Sequence, residues 1–136
     1  MAAVRRTGSL VVRYRGRVVQ AFYSSSSGGH TASNRVWGSA PLPWLPSRPD
    51  PDDRAAGRNP NHRWSVQLTA ATVSARLRSL GVGKVTGLRV TSRIAGSGGR
   101  VGTVRVAGTR RTVSVSGARI RGLLGFKSTK FSIRSG

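Results

Sequence analysis

A chain of 136 residues has room for one domain around one core and not for two ordinary ones. It carries 24 Lys and Arg against three acids, a formal net charge of +21, and it has no cysteine, which excludes disulfides and thiolate metal sites. No apolar run approaches the ~20 residues a membrane span needs, and MAAVRRTGSLVV lacks a hydrophobic core long enough for a signal peptide, so this stretch of chain is expected to be soluble and not exported on its own.

Such a charge balance points to a polyanionic surrounding: nucleic acid, an anionic membrane or an anionic wall polymer. Lys84, Lys127 and Lys130 are the three lysines, so the charge is almost all arginine and spread along the chain. Alternation such as Arg13, Arg15 and Arg17 is what the wet face of a strand looks like.

In chain order, Leu10 to Tyr14 and Arg17 to Tyr23 read as two strands of a hairpin turning at Arg15-Gly16. Ser24 to Thr31 is a polar Ser/Gly loop. Ser39 to Asn61 holds all six prolines and is expected to be a long surface loop, flanked or punctuated by Trp37, Trp44 and Trp64, which would pin it down. Thr69 to Leu80 predicts the main helix, with Thr69 as N-cap, Val73, Leu77 and Leu80 on one face and Gly81 as the stop. Val85 to Ala95, Val101 to Ala107 and Thr112 to Ser116 alternate apolar and polar residues between Gly-rich turns, the pattern of an antiparallel meander. A helical turn at Ala118 to Leu124 and a strand at Lys130 to Ile133 close the chain. The fold class is α+β, mainly antiparallel β, with one main helix at about 69–80 and a long Pro-rich loop.

The segment YSSSSGGHTASNRVW, Tyr23 to Trp37, concentrates the functional signal. It is not a phosphate-binding P-loop, because no Gly-Lys-Ser/Thr follows and no helix receives the phosphate. Aromatic shoulders at Phe22, Tyr23 and Trp37 suit a sugar, whose C–H face packs on a ring while hydroxyls and amides bond its polar edges. From the residues alone, a ligand loop and a purely structural loop both remain open. Two histidines far apart and no cysteine supply too few ligands for zinc, so His30 is expected to donate a hydrogen bond within the loop. Asp50, Asp52 and Asp53 read as a solvated loop cluster, since no glutamate exists and the positive surroundings oppose a raised carboxyl pKa.

Several blocks together carry a resemblance. Ala3-Val4 with Thr7-Gly8 leads into Val12-Arg13-Tyr14-Arg15-Gly16, then Ala21-Phe22-Tyr23 and the Ser/Gly run through Thr31. Val36-Trp37-Gly38, Pro43-Trp44-Leu45, Asn59-Pro60 and Trp64 follow, and Val115-Ser116-Gly117, Arg121, Leu124-Gly125-Phe126-Lys127-Ser128-Thr129 and Phe131 end the pattern. This resembles the second half of a SpoIID/LytB domain. Trp44 stands where tyrosine is usual, and Phe126 and Lys127 where leucine and arginine are.

The resemblance implies peptidoglycan work. Enzymatic members are lytic transglycosylases of glycan strands stripped of stem peptides, and other members modify or enhance wall amidases. In the enzymes a glutamate is general acid/base and the sugar's own hydroxyl closes an anhydro ring, so one carboxyl suffices. That glutamate lies ahead of the region matched here, and this sequence contains none. Residues 1–136 are therefore expected to be a partial SpoIID/LytB-like domain, inactive by itself, with no catalytic residue, metal or cofactor of its own. Tyr23, Ser26, Ser27, Gly28, Gly29, His30, Thr31 and Trp37 are the glycan-binding residues the resemblance implies. The expected partners are peptidoglycan glycan strands and, as an alternative role, a wall amidase or another sporulation or cell-wall protein, in the cell envelope or outside the cell. A basic nucleic-acid-binding protein is the rival reading; the dispersed charge and the absence of a recognition helix or RNP-like aromatic pair weigh against it.

Overall fold

The computed structural model describes residues 6–8, 10–55, 59 and 61–134. Ala3, Val4 and Pro60 of the motif blocks lie outside the described residues, as does the start of the stretch read for a signal peptide.

The N-terminal runs pair over Arg13–Tyr14 (β1) and Arg17–Val18 (β2), with Arg13 opposite Val18 and Tyr14 opposite Arg17. Arg15 (φ 49) and Gly16 (φ 78) both take positive φ, as the tight turn matched to strand twist requires. The ladder is shorter than the β-rich runs because a two-stranded ribbon has no third strand to lean on. Leu10, Val11, Val12 and Val18 stay exposed.

The Pro-rich stretch is mostly loop, as its prolines demand, and holds one helical turn, Asp52–Ala55 (α1). Tyr14 packs on Trp44 with ring centroids 5.5 Å apart, which ties the loop to the hairpin. At its far end Trp64 meets Phe126 at 5.5 Å, and Phe126 meets Phe131 at 5.0 Å.

The expected helix over 69–80 is two pieces. Thr69 caps Ala70–Arg76 (α2) by accepting from the Thr72 amide at 3.1 Å. Leu77 then leaves helical geometry (φ −93, ψ 8), and Arg78–Leu80 completes the run as a 3₁₀ turn ending at left-handed Gly81. Overwinding turns both Leu77 and Leu80 into the core, where each is buried.

The meander forms as read: Val85–Arg93 (β3), Val101–Gly108 (β4) and Thr112–Ser116 (β5), all antiparallel in the order β3-β4-β5. Val104 and Val106 of β4 and Val115 of β5 face the core, joined from the same side of β3 by the partly buried Leu88 and Val90. Ser116 caps the closing helix Gly117–Leu124 (α3) through the Arg119 amide, and Ile120 and Leu124 drop onto the valines. Gly117 is required by contact: a Cβ there would lie 2.2 Å from the Val101 carbonyl oxygen. Fully burying side chains of this size contributes about 1.5–3 kcal/mol each, so this half of the chain, from Leu77 to Phe131, is the stable platform.

The closing strand expected at Lys130 to Ile133 makes no ladder. Arg93 donates to the Phe131 carbonyl at 3.2 Å, taking an acceptor a strand partner would need, while the Val101 amide donates to Thr129 O at 2.8 Å. Phe131 is buried all the same, so the segment is held by packing. Among the described residues, no helix is long and apolar enough to cross a membrane.

Candidate functional site

The Ser/Gly loop leaves the hairpin at Tyr23 and crosses onto the platform. Its own hydroxyls begin to fold it, with the Gly28 amide donating to Ser26 Oγ at 3.2 Å and the Gly29 amide to Ser27 Oγ at 3.0 Å. These are local side-chain turns of the kind serine favours over helix or strand.

Asp53, on α1, gathers the loop. Its Oδ1 accepts from the Ser27 amide at 3.2 Å, and its Oδ2 accepts from Ser26 Oγ at 2.9 Å, the Gly29 amide at 3.2 Å and His62 Nδ1 at 2.7 Å. A carboxylate only accepts, so His62 carries its proton on Nδ1. The Asp53 side chain is 6% exposed and that of His62 19%. The His62 bond, assisted by those from Ser26, Ser27 and Gly29, overcomes the cost of desolvation and holds the Asp53 carboxyl at about 2, down from 3.8. The expectation of a solvated aspartate cluster is thus corrected at Asp53. Ser26, His62 and Asp53 do not form a nucleophilic relay either, because the serine hydroxyl is bound to the carboxylate and not to the imidazole.

Cations hold the loop's carbonyls from the platform side. Lys130 Nζ donates to Gly28 O, and Arg100 Nη2 to Ser27 O at 3.4 Å. Burial pushes the Arg100 guanidinium below its usual value. Asn59 Nδ2 donates to Ser25 O at 2.6 Å, and Asn61 bridges Ser25 Oγ and Lys127.

His30 and Thr31 stitch the loop to the Pro-rich stretch. His30 forms an isolated antiparallel bridge with Pro49, and the Asp50 amide donates to Gly29 O at 3.0 Å. The Thr31 amide donates to Arg48 O at 2.8 Å, Thr31 Oγ1 accepts from the Arg48 amide at 2.8 Å, and Ser47 Oγ donates to Thr31 O at 2.7 Å. The imidazole of His30 makes no hydrogen bond among the described residues, contrary to the sequence expectation. Its ring lies against Gly98.

Of the eight residues named from sequence, the structure joins Ser26, Ser27, Gly28 and Gly29 into one clamped loop, with His30 and Thr31 as its seam. Tyr23 stands at the entry and is 94% exposed. Trp37 ends a 3₁₀ turn, Asn34–Trp37, and its side chain lies outside the described set. Sequence reasoning missed Asp53, His62 and Asn34. Asn34 is buried, donates to Ala40 O and accepts from the Leu42 amide at 2.8 Å, shaping the turn after Trp37. The available signal was residue type alone: Asn34 and His62 flank the Pro-rich stretch and Asp53 lies in it, and such side chains fold loops by hydrogen bonding. No group of three or more metal-type side chains occurs among the described residues.

The Ser/Gly loop and the motif blocks resemble those of the SpoIID/LytB family. No family model matches it. The similarity rests on a curated relative, the amidase enhancer of Bacillus subtilis (strain 168), which is 45% identical over 68 residues. That stretch covers 49% of this chain and 9% of the relative.

Proposed function

We propose that this chain is a peptidoglycan-facing domain whose Tyr23–Thr31 loop binds glycan strands. The single observation that carries the reading is the pairing of an exposed aromatic residue with a loop whose backbone is held by side chains from α1 and the platform. A loop clamped by Asp53, Lys130 and Arg100 keeps one shape, so binding costs little ordering entropy. Tyr23 then offers a ring face for a pyranose at its edge. The role is binding without chemistry. An Asp53 carboxyl at about 2 is ionised throughout the neutral range and cannot deliver the proton that glycosidic cleavage needs. A domain spanning 1–136 of SpoIID/LytB type, working at the cell wall or in the envelope, is part of the same proposal.

Co-sedimentation with purified peptidoglycan, intact or stripped of stem peptides, tests it. Wild type is expected in the pellet, preferring stripped strands, and Tyr23→Ala in the supernatant. Equal retention of the two proteins would remove Tyr23 from the site. Thr31→Ala is a weaker probe, since that hydroxyl holds the Arg48 amide. Release of anhydro-muropeptides by the purified chain would contradict the non-catalytic assignment.

A second reading, regulation of a wall amidase, is favoured by the printed name of the relative, amidase enhancer. Its mark is faster peptide release by an added amidase when this chain is present, with the gain surviving Tyr23→Ala.

A further inference from the structure

The outer face of the sheet carries an arginine pair for which the fold supplies no counterion. Arg89 of β3 stands directly opposite Arg105 of β4, and Ser114 of β5 continues the row. Their neighbours in sequence, Leu88, Val90, Val104 and Val106, turn toward α2 and α3, so the row faces the other way, and both arginines are exposed. Side chains paired across strands have Cβ atoms about 4.5–5.5 Å apart, and like charges there repel.

Among the described residues, four guanidiniums are used on carbonyls: Arg76 on Leu124, Arg93 on Phe131, Arg111 on Leu80 and Arg100 on Ser27. Arg89 and Arg105 make no such bond among the described residues. Nor is an acid at hand, because Asp50, Asp52 and Asp53 are the only ones in the chain and Asp53 is bound to the Ser/Gly loop. The rest of the face is hydroxyl-rich, with Thr103, Thr112, Ser114 and Ser116 beside Gly87 and Ala107.

We propose that the Arg89–Arg105 row is a docking site for a linear polyanion without bases, a polyol-phosphate chain lying across the sheet. The guanidiniums fork onto phosphodiester oxygens, and the threonine and serine hydroxyls meet polyol hydroxyls. Single-stranded nucleic acid shares the phosphates but needs aromatic platforms for its bases, and this face has none. The site is separate from the Ser/Gly loop and does not depend on glycan binding there.

Fluorescence anisotropy with end-labelled poly(glycerol phosphate), read over a range of salt concentrations, tests the proposal. Arg89→Gln/Arg105→Gln is expected to weaken binding at least ~10-fold and to flatten the salt dependence by about one phosphate contact or more. Arg119→Gln/Arg121→Gln, which removes the same charge from α3, is expected to cost less than ~3-fold. Equal loss in the two double variants would reduce the site to diffuse charge and overturn it. So would an oligothymidylate of matched charge binding as tightly as the polymer with the same dependence on Arg89 and Arg105. Removing two repelling, unbonded charges should leave the melting temperature level or higher. Should the double variant fail to fold, Arg89→Gln alone must still show a loss of roughly 3-fold, the square root of the tenfold expected for two contacts; no loss there refutes the row.

Discussion

Gly98→Ala is the sharpest probe of how the platform shapes the loop. Gly98 sits in the β3–β4 turn at φ +67, and a Cβ there would lie 2.3 Å from His30 Cβ and 2.8 Å from His30 Cγ. Those are the root atoms of the side chain and cannot swing aside, so the His30 backbone must retreat, taking its bridge to Pro49 with it. Left-handed backbone costs alanine about 1–2 kcal/mol, and overpacking of this kind adds about 1–3 kcal/mol. Gly99→Ala supplies the reference, because Gly99 is also left-handed (φ +85) but has open space where its Cβ would go. Urea denaturation should therefore place Gly98→Ala about 1–3 kcal/mol below Gly99→Ala, or roughly 4 °C lower in melting temperature per kcal/mol. Adding His30→Gly removes the opposing Cβ, and a double-mutant cycle should return a coupling of similar size. Equal destabilisation by the two alanines, within ~0.5 kcal/mol, would show that His30 does not rest on the turn.

Three further outcomes follow from the same geometry. The Asp53 carboxyl is lowered from 3.8 to about 2, so its contribution to stability is complete above the unfolded value and is lost as pH falls from 3.8 through about 2; denaturation followed over that window should show an acid limb that Asp53→Asn flattens, and an unchanged limb would mean the carboxylate does not hold the loop. Ile120→Ala, at a fully buried position on the core face of α3, should cost about 2–5 kcal/mol in urea denaturation, whereas a loss under ~1 kcal/mol would refute tight packing of α3 on the sheet. Ser116→Ala removes the cap of α3 and should cost about 1 kcal/mol, seen as faster amide exchange in the first turn of that helix.

The platform was legible in sequence because alternation and capping are local. Val104 and Val106 alternate with Arg105, Thr69 and Ser116 precede helical runs, and each pattern specified its element. The break at Leu77 was not legible, since it is set by the demand to bury Leu77 and Leu80 together, a tertiary requirement. The loss of the last strand has the same character: Arg93 captures the Phe131 carbonyl from 38 residues away. In the site, the Ser/Gly loop announced itself by composition and motif, but its clamp did not. Asp53 and His62 lie 24 to 36 residues beyond the serines and glycines they organise, in a stretch whose prolines suggested only a surface loop. The bond that makes Asp53 structural is a matter of where α1 lands, and local pattern carries no record of that.

We propose that the clamped loop, with Tyr23 at its entry, binds glycan. Isothermal titration of the chain with soluble stem-peptide-free glycan strands tests it most directly. Tyr23 is 94% exposed, so Tyr23→Ala should melt at the wild-type temperature while losing roughly 3- to 10-fold in affinity, the equivalent of one ring contact. Wild-type affinity in a correctly folded Tyr23→Ala, or no heat of binding in the wild type, would contradict it.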